Sequence, residues 1–309
     1  MSERIDVLCA GLACFDLTFA VDQHPGEDHK ILANDLQLCG GGPAANAAVC
    51  TAKLGCKSAF CGFLGKDWFG DQHLKELAQI GVDTQYIWRG PAPTPLSVCL
   101  VKPDGRRSVV NFRADAPSPL LDAAIMIEPK PKILLLDGHQ WEVSIRLIDQ
   151  LEGSDTISIL DAGSLHDGTK ALMGRVNYLV ASEKFARQLC GCSDRSELLR
   201  QLGNSADCVT ITLGADGVVW SEGGEGKHLP AFKVHVVDSN AAGDVFHGAF
   251  AAGIARGMTY GSELMRFASA AAALSCTKLG GRSSFPRYED VVRFLEEAAY
   301  CTSSDAILR

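Results

Sequence analysis

ILLLDGHQWEVSIRLIDQLEGSDTISILDAG, residues 133–163, reads as a strand, a helix and a second strand. ILLLDG (133–138) and ISILDAG (157–163) are apolar runs closed by Asp and a small residue, and VSIRLIDQL (143–151) is the helix between them. The rhythm continues through the strand NYLVAS (177–182), the helix EKFARQLCG (183–191) and the strands CVTITLG (208–214) and GVVWSE (217–222). Continuous apolar strands alternating with helices predict a mainly parallel sheet covered on both faces. AFKVHVVD (231–238) reads as one more strand, followed by helices at about 243–256, 261–277 and 287–299. The tail after Tyr300 is expected to fray.

Working back toward the N-terminus, IDVLCAGL (5–12) is a buried strand ending near Gly11. Residues 17–22 and 30–38 read as two strands of a smaller sheet. CGGGPAANAAVCTAKLG (39–55) is a glycine turn opening an Ala-rich helix that stops near Gly55. A strand at 58–64 and a helix at 68–80 follow. TPLSVCLVKPDGRRSVVNF (94–112) reads as a hairpin about Asp104-Gly105. The 17–38 and 94–112 segments break the strand–helix rhythm. They are expected to form a small β-sheet lid inserted in one domain spanning residues 1–309.

Composition narrows the function. Of 309 residues, 47% are hydrophobic but only 7% aromatic, with 31 glycines. A disordered chain would be less apolar and more charged. Acidic residues outnumber basic ones 37 to 29, for a formal charge of −8, so no nucleic-acid partner is expected. The 12 cysteines lie mostly in apolar runs, as small hydrophobes do, and none forms a C-x-x-C pair. With no signal-peptide pattern and no uncharged run of about 18 residues, no membrane span and a cytoplasmic location are expected.

The chemistry concentrates in VVDSNAAGDVFHGAFAAG, residues 236–253. A strand ends at Asp238, and the small residues Ala241-Ala242-Gly243 open a helix. A helix N-terminus carries unpaired N–H donors and partial positive charge, which suits an anion. Asp244 in the first turn could take the proton of an attacking hydroxyl while the N–H groups hold developing charge. Taken alone, Asp244 is equally readable as an ordinary first-turn acid beside a close helix contact.

Asp238 to Asp244 with the following VFHGAFA resembles the C-terminal signature of the ribokinase-like (PfkB) sugar kinases. Gly41-Gly42-Pro43-Ala44-Ala45-Asn46 resembles the family's N-terminal signature. The likeness extends to Gly11-x-x-x-x-Asp16, Thr212-Leu213-Gly214-Ala215-Asp216-Gly217 and Cys276-Thr277-x-x-Gly280-Gly281-x-x-Ser284-x-Pro286. It runs in the family's order from residue 5 to about 297.

That resemblance implies a ribokinase-like α/β fold, transfer of the ATP γ-phosphoryl group to a sugar hydroxyl, and a homodimer through the lid. It implies Asp244 as base and the N–H groups of Ala241, Ala242 and Gly243 as anion hole. Asp16, Gly41, Gly42 and Asn46 would hold sugar hydroxyls. A carboxylate accepts hydroxyls, an amide donates and accepts, and a glycine turn lets a ring approach the backbone. Ser182, Thr212, Gly214, Gly217, Gly243 and Ser269 would line the nucleotide. Asp238, Asn240, Ser275, Gly280 and Ser284 match positions where relatives bind a monovalent cation such as K⁺, with Asn240 in place of the usual Thr. Ser182-Glu183-Lys184-Phe185 stands where relatives often carry Asn-x-x-Glu, which supports Mg²⁺ and phosphate; Glu183 is the candidate substitute. Mg²⁺ would come with the ATP, held mainly by phosphates and water.

Within the family, the chain resembles the sulfofructose kinase branch through GGGPAANAA (40–48), PAFKVHVVD (230–238) and RFASAAAALSCT (266–277). Lys30 and Asn111 match two sulfonate-holding positions of that branch, but His139 stands where the third has Arg. His is a weaker anion partner than Arg's fixed fork. A neutral ketohexose, another sugar acid and 6-deoxy-6-sulfofructose therefore all stay open as substrates. Gly40-x-Gly42-x-x-Ala45 fits a dinucleotide fingerprint only superficially, because the strand before it is polar and alternating. No G-x-x-x-x-G-K-[ST] occurs, which excludes a P-loop kinase. The remaining rival is a non-catalytic sugar- or nucleotide-binding regulator on the same fold.

Overall fold

Strand–helix alternation becomes a nine-stranded sheet in the computed structural model, which describes residues 4–114, 127–278 and 281–307, with side-chain surroundings as far as residue 298. Its strands are β1 (Val7–Ala10), β4 (Ser58–Gly65), β5 (Ile87–Gly90), β8 (Ile133–Leu136), β9 (Ile157–Ala162), β10 (Tyr178–Ser182), β11 (Cys208–Thr212), β12 (Val218–Glu222) and β13 (Glu225–Leu229). They lie in the order β13-β12-β11-β10-β9-β8-β1-β4-β5. All neighbours from β11 to β5 are parallel, and β12 and β13 add an antiparallel edge. The expected α/β class is therefore observed.

Helices cover both faces. On one face lie α1 (Pro43–Lys53), α2 (Trp68–Ile80), α7 (Ala242–Ala255), α8 (Ser262–Ser275) and α9 (Tyr288–Ile307), around a core that includes Phe60, Leu64, Phe250 and Phe267. On the other lie α3 (Trp141–Leu151), α4 (Asp167–Leu172), α5 (Glu183–Cys190) and α6 (Arg195–Leu202), around Leu134, Leu136, Leu147 and Phe185. α1 and α7 pack on each other through small residues: a Cβ on Gly248 would fall 2.7 Å from Cys50 Cβ. The described cysteines are free thiols, mostly buried, as expected of small hydrophobes.

A second sheet of four strands holds β2 (Cys14–Ala20), β3 (Asp35–Gly41), β6 (Leu96–Val101) and β7 (Arg107–Phe112) in the order β3-β2-β6-β7. This is the expected small second sheet, with the hairpin turning at Asp104-Gly105, although its first two strands start and end at other residues than the expected 17–22 and 30–38. Directly paired residues share a face, so Asp16, Ser97 and Asn111 form one row across it. The opposite face carries Leu36, Leu38, Val110 and Phe112, all exposed, with Val110 at 68%.

Two expectations fail. Residues 231–238 alternate in hydropathy but form no strand; Val236 and Val237 are exposed. Alternation sets which side each residue faces, but supplies no neighbouring strand; here the N–H groups of Val237 and Asp238 both reach Cys276 O. The last helix runs on to Ile307, past Tyr300. Short β5, α4, α6 and β13 were not foreseen.

Candidate active site

Strand order reverses between β1 and β8, and ligand clefts in open α/β sheets form beyond the carboxyl ends of such strands. Asp137, just past β8, organises this point. It is 4% exposed, and its carboxylate accepts the N–H groups of Leu12 (2.8 Å), Ala44 (3.2 Å) and His139 (2.9 Å). It thereby ties the end of β1 and the first turn of α1 to β8. A Cβ at Gly11 would lie 2.0 Å from that carboxylate, which explains the glycine.

The N-termini of α1 and α7 meet here. Asn46 Nδ2 donates to Asp244 Oδ2 at 2.7 Å, across 198 residues of sequence. The amide is oriented by Arg282, 3% exposed, whose Nε donates to Asn46 Oδ1 at 2.9 Å. A guanidinium only donates, so Oδ1 must face it and Nδ2 must face Asp244. Arg282 also ion-pairs with Glu76 at 3.4 Å and reaches His73 at 2.8 Å. Burial, reinforced by Asp161, pushes the Asp244 carboxyl up to about 7, against the Asn46 hydrogen bond and His247. Asp16 is raised too, chiefly by burial, while Cys14 Sγ donates to it at 3.2 Å and Arg282 and Ser97 stabilise its charge.

At the α7 terminus, Ala242 N–H makes a long 3.4 Å turn bond to Ser239 O. The N–H groups of Ala241, Gly243 and Asp244 have no acceptor among the described hydrogen bonds, and a Cβ on Gly243 would meet only open space. Ala241 caps the helix in the left-handed region, φ 59°. An L-residue there costs about 1–2 kcal/mol, while glycine loses about 0.5–1 kcal/mol of chain entropy. Ala241→Gly should therefore raise stability by about 0.5–1 kcal/mol in urea unfolding; a destabilised variant would contradict the strain.

Several of the candidate residues also make contacts within the protein. At Gly41 the space a Cβ would need is filled by the Asp16 carboxylate, 2.2 Å away; at Gly42, φ 95°, it is filled by Leu12 O at 2.5 Å. Their lack of side chain serves approach within the protein itself. Gly217 is equally internal, against Leu229 O, whereas Gly214 is open. Ser182 caps α5, accepting from Phe185 N and donating to Gly163 O. Phe185 is fully buried, and Glu183 is ion-paired with Arg187 and Arg195. Thr212 ends β11, bonded to Ala181 O, and Ser269 is half-buried in α8.

Asp238 Oδ1 accepts Asn240 N–H, and Cys276 O binds this segment to the end of α8, where Ser275 is buried. Ser284 Oγ donates to Gly281 O; Gly280 lies outside the described residues. No group of three or more His, Cys, Asp or Glu suited to a metal occurs among the described residues. On the lid, Asn111 is exposed in the Asp16 row, while no described contact joins Lys30 to Asp16 or Asn111.

A model of the pfkB family of carbohydrate kinases matches residues 4–287. The chain belongs to that family. This kinase is 28% identical to ribokinase from Haemophilus influenzae over 287 residues, 89% of this chain and 92% of that one. Its fold matches the crystal structure of ribokinase from Thermotoga maritima with a TM-score of 0.82, at 28% identity over 94% of this chain and 99% of that one. Ribokinase from Arabidopsis thaliana, solved with ribose and ATP, gives 0.82 at 25% identity, covering 95% and 99%.

Sequence reasoning about this kinase missed Asp137, Arg282, Ser97 and Arg113. Arg113, just beyond β7, donates from one terminal NH to His139 Nδ1 at 3.2 Å, and the His139 ring stacks on His166 at 4.5 Å. Burial lowers His139, and Arg113 lowers it further, against Asp137. Arg282 lies in the quoted Gly280-to-Pro286 motif and could have been noticed there; the others have no local signal. Among the described residues no helix is long and apolar enough to cross a membrane.

Proposed function

We propose that this carbohydrate kinase uses Asp244 as the base that accepts a sugar hydroxyl proton as the γ-phosphoryl group of ATP is transferred. The Asn46–Asp244 hydrogen bond at the α7 terminus carries this reading. A carboxyl raised toward neutrality is matched to proton transfer near pH 7. The free N–H groups of Ala241, Gly243 and Asp244 would stabilise charge on the phosphoryl oxygens, with Ala242 contributing less. Asp16 and Asn46 would orient sugar hydroxyls, and the segment around Thr212, Gly214 and Ser269 the nucleotide. Mg²⁺ supplies charge neutralisation on the triphosphate it arrives with. The ion-paired state of Glu183 supports no protein ligand from that motif. A K⁺ near Asp238, Asn240, Ser275 and Ser284, and a homodimer through the apolar outer lid face, belong to the same proposal; the exposed Leu36, Leu38, Val110 and Phe112 support the latter.

Arg113 favours a substrate with an anionic substituent. It returns a guanidinium to the neighbourhood of His139, and no carboxylate pairs with it among the described ion pairs. The ribokinase names of the relatives favour a neutral sugar instead. ADP release with ribose, fructose, sugar acids and 6-deoxy-6-sulfofructose separates the two. An anionic sugar should exceed its neutral analogue in kcat/KM by about 10-fold or more, and Arg113→Ala should erase that margin, as expected of a charged hydrogen bond. Ribose as best substrate with Arg113→Ala inert would overturn the anionic reading. Sugar binding without turnover on every compound would return the regulator.

A further inference from the structure

His247 follows Asp244 by three residues on α7 and is 2% exposed. Its Nδ1 stands 2.7 Å from Gly243 O and 3.3 Å from Asp161 Oδ2; its Nε2 stands 3.1 Å from Val180 O. A carbonyl oxygen only accepts, so each ring nitrogen needs its own hydrogen to bond there. A neutral imidazole has one N–H and the cation has two. The neutral ring would press a bare lone pair against a carbonyl in the core, at the cost of an unmade buried hydrogen bond. Asp161, 5% exposed, brings its carboxyl group to the ring from the end of β9.

We propose that His247 is a positioning residue, held as an imidazolium by Asp161, that anchors the Gly243–Asp244 peptide at the start of α7. The peptide unit is planar, so holding Gly243 C=O also fixes the direction of Asp244 N–H on its other side. That N–H opens the free end of the helix, beside the carboxylate that Asn46 holds. Both members of the pair are buried.

Other charges bear on the pair. Asp244 faces His247 from the same helix, and Asp137 at the end of β8 acts on Asp161 from the other side. Burial opposes both charges, pulling His247 toward the neutral ring and Asp161 toward the protonated acid. Each therefore stays charged through the other, helped at the ring by the two carbonyls and Asp244, and at Asp161 by the Gly163 backbone. A buried ion that loses its partner neutralises instead.

The proposal rests on Asp244 as base only for its catalytic benefit, so its decisive readout needs no turnover. With ¹⁵N-labelled histidine in the full chain, and His247→Asn for assignment, both His247 ring nitrogens should show protonated shifts at about pH 7.5, well above the usual histidine range. Asp161→Asn should return one nitrogen to the unprotonated shift at that pH. A bare ring nitrogen in the unaltered chain overturns the imidazolium, and an unmoved ring in Asp161→Asn overturns the partner. In kinetics, His247→Asn should lower kcat about 10-fold with sugar KM within about 2-fold, because misaligned groups slow the reaction without weakening substrate binding. Unchanged kcat overturns the positioning role. Should His247→Asn fold poorly, Asp161→Asn, which keeps size and a hydrogen-bonding oxygen, carries both measurements.

Discussion

Asp244→Asn should leave the fold and the sugar KM nearly intact and cut kcat by ~10²-fold or more. The substitution keeps shape, and its amide oxygen still accepts from Asn46 Nδ2, so the junction of α1 and α7 survives. What it removes is the ability to take a proton. The pH dependence follows with a definite sign. Burial, then Asp161, raises the carboxyl to about 7, so the protonated, inactive form persists up to neutral pH. kcat/KM of the unaltered kinase should rise through about pH 7 and fall about tenfold per unit below it. That limb should vanish in Asp244→Asn. Near-normal turnover, or a limb that survives the substitution, would sink Asp244 as base.

The second large effect is on stability. Asp137→Ala removes one carboxylate and orphans three backbone N–H groups, those of Leu12, Ala44 and His139. Each buried unsatisfied donor costs about 1–3 kcal/mol, so a loss of roughly 3 kcal/mol or more is expected. Urea unfolding should show a lower midpoint at unchanged slope. Asp137→Asn, which keeps one acceptor oxygen, should fall between. Because Ala44 lies two residues before Asn46, sugar KM should also rise in Asp137→Ala. A midpoint equal to that of the unaltered chain would show that the three N–H groups find other acceptors.

Much of this molecule was legible along the chain. The parallel sheet followed from apolar strands alternating with helices, and the lid from the hairpin that broke this rhythm. Asp16, Asn46 and Asp244 were singled out from their motifs, and the structure brings Asn46 and Asp244 within one hydrogen bond. The glycines at 41 and 42 were noticed for a different reason. Their motif suggested room for a ligand, whereas the backbone makes room for Asp16 and Leu12 O. Residues 231–238 show the complementary limit, a strand pattern without a partner.

Asp137, Arg113, Asp161 and His247 could not be read locally, and for Arg282 the motif marks the position but not the role. An Asp after a strand, or an Arg in a glycine-rich turn, has the same appearance whether solvated or structural. Their roles come from groups far off in sequence: Arg282 from Asn46 across 236 residues, and Asp137 from Leu12 across 125. Periodicity and helix starts depend on a dozen neighbouring residues, so the order of residues was enough to set the α/β layers and the α7 terminus. Protonation and orientation depend on burial and on hydrogen-bond partners, which exist only once distant segments pack. Folding therefore decided which acid stands near neutrality, which way the Asn46 amide points, and why the glycines are glycines.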